Sequence, residues 1–369
     1  MKLSCLVLVE PQIPFKTVFK HASASRSRME SVIAIAESES GLKGYGEGCP
    51  RFYVTGETIE TAFEFVETHL KNILKISNSD DLQNWVIQNQ HLLNKNPSAW
   101  CAVELAVLDL LAKENEKSVE SLLSLNELSG SFQYSGVLGV NSYEAFKTQF
   151  DQYCRMGLYD YKVKVSGDFE EDFKKISLIK NKNVPNIRVR LDANNLWKYS
   201  TEAIRYIREL KFPFFAIEEP LKVENYEGGL KIFEALKIPI ILDESFRFIE
   251  QLDYIQKTPQ AWIINLRISK MGGILRSLSI LQEAQKRGIP FIVGAQVGET
   301  SILTRAALTV VNAFRRIILA QEGAFGTLLL ERDIVDDPIM FGPHGQLSIS
   351  YNSNSSGFGL EINEDNIIQ

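Results

Sequence analysis

From Phe132 onward the chain keeps repeating one unit, a short β-rich run followed by an amphipathic helical stretch. The runs are Tyr161–Val165, Ile187–Asp192, Phe215–Glu218, Ile238–Asp243, Trp262–Asn265 and Pro290–Val293. Between and after them, helical periodicity covers about Asp168–Lys180, Thr201–Leu210, Tyr226–Leu236, Gly273–Arg287 and Ser301–Ala313. Strand–helix alternation of this kind predicts an α/β fold with a parallel sheet, because each helix must carry the chain back before the next strand begins. An open doubly wound sheet and a closed barrel both satisfy the pattern. A dinucleotide-binding sheet needs GxGxxG between a strand and a helix. The nearest match, GYGEG over Gly44–Gly48, runs into Cys49 and Pro50 instead of a helix.

The first hundred residues read differently. Leu3–Val9, Ser31–Glu37 and Gly41–Gly48 have the character of antiparallel strands, and Thr58–Lys71, Asp80–Leu92 and Ala99–Lys113 of helices. Strands followed by helices predict a small α+β domain. The expected division is a capping domain over residues 1–125, a barrel over 126–345 and a tail, including SSGFGLEIN, over 346–369 that returns to the cap. The start MKLSCLVLVEPQIPF reads as a first strand rather than a signal peptide, because Glu10, Pro11 and Pro14 cut its apolar run short. No apolar run nears the ~18 residues of a membrane helix. Cys5, Cys49, Cys101 and Cys154 are too scattered for a CxxC site and read as free thiols in a reducing compartment. A cytoplasmic enzyme with no membrane partner is expected. The net charge of −6, without a basic aromatic-laced patch, speaks against a nucleic-acid partner.

Charge placement favours the barrel. Lys164, Asp192, Glu218, Asp243 and Lys270 end or follow successive strands, 25–28 residues apart, one βα unit each time. The C-terminal ends of barrel strands point into the mouth where such folds keep their chemistry. Three carboxylates brought together repel unless a cation compensates. Oxygen ligands alone select a hard ion, magnesium or manganese. His21, His69, His91 and His344 all lie outside the constellation, which excludes a zinc site built on it.

In Tyr161-Lys-Val-Lys164, strand alternation puts Lys162 and Lys164 on one side. Two adjacent ammonium groups should depress each other's pKa and bring Lys164 towards use as a base. Lys270, in NLRISKMGG, is expected on the opposite side of the arc. A substrate carboxylate on the metal would then lie between two lysines as a proton leaves its neighbouring carbon and an enediolate forms. Return of the proton to the other face gives racemisation or epimerisation. Loss of a β group gives elimination, and ring closure gives cycloisomerisation. A purely structural barrel would have no use for the lysines.

KVK at Lys162–Lys164, DANNLW from Asp192, EEP from Glu218, LDES with Asp243 and NLRISKMGG with Lys270 together resemble the enolase superfamily, in its muconate-lactonizing-enzyme-like subgroup. The resemblance covers the whole chain and implies a modified TIM barrel, (β/α)7β, under an N-terminal α+β capping domain. It implies Lys164 and Lys270 as opposed acid/base groups, with Lys162 tuning Lys164 and holding the substrate carboxylate. Asp192, Glu218 and Asp243 would bind magnesium, supported by Asn194 and Glu219. The expected substrate is a small-molecule carboxylate, a dipeptide or N-substituted amino acid that is epimerised. Muconate-type cycloisomerisation and o-succinylbenzoate-type dehydration are the alternatives, and a homo-oligomer is expected. The loop KTVFKHASASRSR and the segment RFYVTGET look like the dipeptide epimerase branch, with Arg26 and Arg28 as candidates for an anionic substrate. The eighth unit departs from that branch: LAQEGAFGTLLL carries Glu322 and no DxD motif. Glu299, in GAQVGETS, is a further candidate to meet the substrate.

Overall fold

The computed structural model describes residues 1–21, 24–140, 142–350 and 355–368. Strands β1 (Leu3–Val9), β2 (Pro14–His21), β3 (Ala24–Arg28), β4 (Val32–Ser38) and β5 (Lys43–Gly48) come first, with β2 and β3 forming a hairpin and β1-β4-β5 an antiparallel sheet. The segment from Lys16 to Arg28 reads as one polar loop in sequence because it lacks alternating apolar residues. In the structure most of it is the β2–β3 hairpin, and residues 22 and 23 lie outside the described residues. The expected helix Asp80–Leu92 is two, Ser79–Gln88 and Gln90–Leu93, because Asn89 leaves helical geometry at φ −112°, ψ 20°.

The glycines of β5 have a packing cause. Helix Pro97–Glu114 is buried along nearly its whole length and lies directly on the sheet. A Cβ on Gly46 would stand 2.0 Å from the Ala102 carbonyl oxygen, and Gly44 and Gly48 meet Ala106 and Ser98 as closely. Alternation turns Glu47 the other way, where its carboxylate accepts hydrogen bonds from the Thr300 hydroxyl at 2.7 Å and from the Thr300 and Leu303 amides. It thereby caps a barrel helix, Ser301–Ala313. Gly46→Ala is expected to force the helix off the sheet and cost about 1–3 kcal/mol. Urea unfolding checks this, and an unchanged midpoint would contradict it.

After β6 (Gly130–Gln133) come eight parallel strands: β7 (Gly136–Leu138), β8 (Asp160–Lys164), β9 (Arg188–Asp192), β10 (Ala216–Glu218), β11 (Ile240–Leu242), β12 (Trp262–Leu266), β13 (Phe291–Val293) and β14 (Ile318–Gln321). They lie in sequence order, and the edges meet where the Ser135 amide donates to the Gln321 carbonyl at 2.8 Å. The curled sheet is thus a modified (β/α)7β barrel. Ala216, Ile241, Ile263, Ile292 and Ala320 pack together as a small core of their own inside it. Two residues further along each strand, the same inward phase presents Glu218, Asp243, Asn265, Gly294 and Glu322 to the mouth. A last strand, β15 (Gln346–Ile349), pairs with β6. The described part of the tail reaches the cap, with Glu364 ion-paired to Lys43 at 2.8 Å and the Phe358 amide donating to Asp109.

Candidate active site

A cavity of about 290 Å³ opens at the C-terminal ends of the barrel strands. Lys162, Lys164, Arg267, Glu244 and Glu322 supply its charged lining. Its apolar wall includes Tyr53 from the cap and Val137, Met156, Val297, Phe325 and Leu329, with Gln149 and Gln152 among them. Arg51 ties this part of the cap to the barrel by donating to the Val297 carbonyl at 2.7 Å.

Asp192, Glu218 and Asp243 come from three neighbouring strand ends, and all three are about 1% exposed. Register pairs Asp192 directly with Glu218. Cations sit on each of them. Lys164 Nζ lies 2.8 Å from Asp192, Lys162 Nζ 3.3 Å from Glu218, and Arg267 and Lys270 both bond Asp243. Among the described residues no three acidic, histidine or cysteine side chains already close around one point. The donor set nonetheless fits a hard divalent ion: oxygen ligands only, on adjacent strands, buried and mutually repelling. Two further acceptor oxygens, Glu244 Oε2 and Asn265 Oδ1, are buried nearby without a hydrogen-bond donor. Burial, reinforced by Asp192 and Glu322, raises the Glu218 pKa against the pull of Lys162. Burial and the neighbouring Glu219 and Asp192 push Glu244 up to about 8.

Lys162 differs from the expectation of mutual depression between the two lysines. Burial opposes its charge, but Glu218, Glu322 and Asp192 outweigh that and raise its pKa. Its ammonium lies 2.7 Å from Glu322, which also pairs with Arg190 at 2.8 Å. Burial works against ionisation of Glu322, yet Lys162 and Arg190 hold it down at about 2. Arg190 in turn meets Asp160 at 2.7 Å, so a chain of buried charges underlies the cavity floor. Glu322 therefore lines the cavity already paired.

Asn194 accepts from Lys164 Nζ at 2.8 Å, and its amide donates to Asp192. Glu219 accepts from the amides of Asp243 and Ser245 at 2.6 and 2.8 Å, bracing the turn that carries Asp243. Burial lifts Glu219 to about 7 despite those bonds. Arg26 is buried against Glu30 at 2.6 Å and lies over the Tyr53 ring, and it is not among the residues lining the cavity. Arg28 is more than half exposed on the surface, bonded to Gln12. Glu299 accepts from the Gln296 amide and lines a small adjoining hollow, with burial pushing it up to about 8.

Lys270 is not brought to the main cavity. It sits on the short helix Ile268–Met271, past the end of β12, and is 1% exposed. Its Nζ donates to the Asp243 carbonyl at 2.6 Å, the Asp243 carboxylate at 3.0 Å and the Asn265 carbonyl at 2.8 Å. The hollow beside it is a different one, water-sized and lined by Pro97, Arg247 and Arg276. The residue that β12 delivers to the mouth is Arg267, which continues the inward phase of Ile263 and Asn265. Spacing in units of one βα repeat does not separate Arg267 from Lys270, whereas the period-2 phase of β12 does.

Comparison with known proteins places this architecture. Residues 4–124 match the mandelate racemase / muconate lactonizing enzyme N-terminal domain, and residues 145–366 match the enolase C-terminal domain-like family. The N-succinyl-L-Arg/Lys racemase of Bacillus cereus is 26% identical over 100% of this chain and 97% of its own. Its crystal structure superposes with a TM-score of 0.85. The hydrophobic dipeptide epimerase of Enterococcus faecalis is 27% identical over 88% of this chain and 92% of its own. A dipeptide epimerase structure from that organism, complexed with Mg and the dipeptide L-Leu-L-Tyr, is 25% identical with a TM-score of 0.84 and covers 98% of this chain and 99% of its own. Among the described residues no helix is long and apolar enough to cross a membrane. With cap and barrel both matched, the chain belongs to the mandelate racemase / muconate lactonizing enzyme family of the enolase superfamily, a family of carboxylate-activating racemases, epimerases and lyases.

Proposed function

We propose that this enzyme removes the proton next to the carboxylate of a small substrate with an apolar body and no free ammonium group, Lys164 acting as the base. The observation that carries the reading is Lys164 itself, which lines the cavity immediately beside the buried carboxylate trio. Asp192, Glu218 and Asp243 would hold a magnesium ion, with manganese the natural substitute. When bound, the ion supplies the positive charge that stabilises an enediolate. Lys162, kept charged by its three carboxylate neighbours, places a second positive group where the substrate carboxylate would sit.

The substrate class follows from the wall. Among the described residues its acidic groups are Glu244, against the trio, and Glu322, already paired with Lys162 and Arg190. A free ammonium group would therefore meet apolar surface, while an amide would meet Gln149 and Gln152. An N-acylated amino acid with an apolar side chain fits better than a dipeptide with a free amino terminus. The likeness to an N-succinyl-L-Arg/Lys racemase supports the N-acyl group, and the likeness to a hydrophobic dipeptide epimerase supports only the apolar body.

The test is deuterium uptake at Cα, in heavy water with magnesium, for N-acetylphenylalanine against the dipeptide L-Ala-L-Phe. The acylated amino acid is expected to exchange at least about tenfold faster in kcat/KM, a difference of ~1.4 kcal/mol. Equal or faster exchange of the free dipeptide would overturn the substrate class.

A further inference from the structure

We propose that Arg267, supported by Gln296, replaces a second acid/base lysine across the mouth from Lys164, so that proton transfer at the substrate's Cα takes place on one face only. The inference rests on the proposed enolate chemistry and concerns what the wall opposite Lys164 does to it.

Topology makes the two residues opposite. Lys164 ends β8, the second strand of the ring, and Arg267 follows β12, the sixth, so four strand steps of an eight-strand circuit separate them. Both side chains line the one cavity, and Lys270 does not. Arg267 is 9% exposed and fixed at two points, bonding Asp243 through Nη2 and the Gln296 side chain through Nη1 at 2.9 Å. Two buried donors on this wall have no acceptor, Arg267 Nε and Gln296 Nε2. Buried donors without partners are rare in folded proteins. Beside a cavity where an anion would form, the Arg267 guanidinium supplies a fixed positive charge.

A guanidinium does the electrostatic half of a lysine's work and not the proton-transfer half. It is a poor proton donor and acceptor in general, so it neither accepts the Cα proton nor readily gives one up. The step balances with one base. Lys164, acting as the base, takes the proton, the C–H electron pair moves into the carboxylate to form the enediolate, and Arg267 faces the resulting negative charge. In return, Lys164 gives a proton back to the same face, or the electron pair expels a group from the β-carbon or closes a ring. Among the described residues no other lysine lines the cavity except Lys162, which lies on the Lys164 side, two residues away on the same strand. The geometry thus provides a lysine for proton transfer on the Lys164 face alone.

The experiment follows deuterium incorporation by NMR for N-acetyl-L-phenylalanine and N-acetyl-D-phenylalanine separately, with wild type and Arg267→Lys in heavy water with magnesium. Wild type is expected to label one enantiomer at least about 100-fold faster than the other and to interconvert neither. Arg267→Lys should raise labelling of the slow enantiomer at least about tenfold and produce racemisation, while calorimetry shows magnesium affinity within about threefold of wild type. Racemisation by wild type, or labelling of both enantiomers at comparable rates, overturns the one-face inference and leaves the enolate reading standing. Failure of wild type to label either enantiomer overturns the enolate reading, and this inference with it.

Discussion

Lys164→Met should lower the rate of Cα proton exchange by about 10²–10⁴-fold, the usual worth of a positioned general base. Methionine keeps much of the lysine's length and none of its basicity, so packing at the end of β8 is largely preserved. The distinguishing measurement is magnesium binding. Lys164 and Lys162 both compete for Asp192 in the structure, at 2.8 and 3.6 Å. Removing the nearer ammonium takes a positive charge away from a candidate ligand. Magnesium affinity should therefore hold or rise while exchange collapses. A residue that merely shaped the metal site would lose both together. Exchange persisting within about threefold of wild type would show that Lys164 is not the base. Lys162→Met should behave differently, because that ammonium is clamped by Glu322, Glu218 and Asp192 and its loss releases three carboxylates at once.

Much of this was legible in the sequence for definite reasons. A parallel sheet follows from strand and helix periods, which depend on local sequence alone, and the charges at the strand ends favour its closure into a barrel. Asp192, Glu218 and Asp243 are legible because spacing of one βα unit sets which residues share the mouth. Lys162 and Lys164 follow from alternation within one strand. What escaped depends on finer placement. Arg267 and Lys270 are three residues apart, and only the end of β12 at Leu266 shows that the first faces the mouth and the second rides a helical turn behind it. The inward phase Ile263–Asn265–Arg267 is the signal that would have found it. Glu244 was hidden by its neighbour Asp243, since adjacent residues are not separated by counting repeats. The pairing of Glu322 with Lys162 and Arg190 joins residues 132 to 160 positions apart, beyond any local pattern. Arg26 and Arg28 drew notice by charge, and the hairpin directs them to Glu30 and Gln12 instead of the cavity.

That same buried chain carries the second large effect. Glu322→Gln should cost about 3 kcal/mol of stability, near the lower end for breaking a buried ion pair, because Lys162 keeps Glu218 and Arg190 keeps Asp160. Urea unfolding with an unchanged slope would read it directly. Arg190→Met should cost about as much, since Glu322 keeps Lys162 and Asp160 keeps Arg188. Combining Arg190→Met with Glu322→Leu should cost less than the sum of the single changes, because the pair leaves together and neither charge is left buried by the other's loss. Glu322 also dates the effect in pH. Its folded pKa of about 2 lies below the ordinary value of 4.5, so its contribution is fully present above the ordinary value and is lost as pH falls towards 2. The gap between wild type and Glu322→Gln should accordingly narrow on acidification from about pH 5 to about pH 3. A gap that stays constant across that range would mean that the carboxylate is not ionised by Lys162 and Arg190, and the ion-pair account of the cavity floor would have to be abandoned.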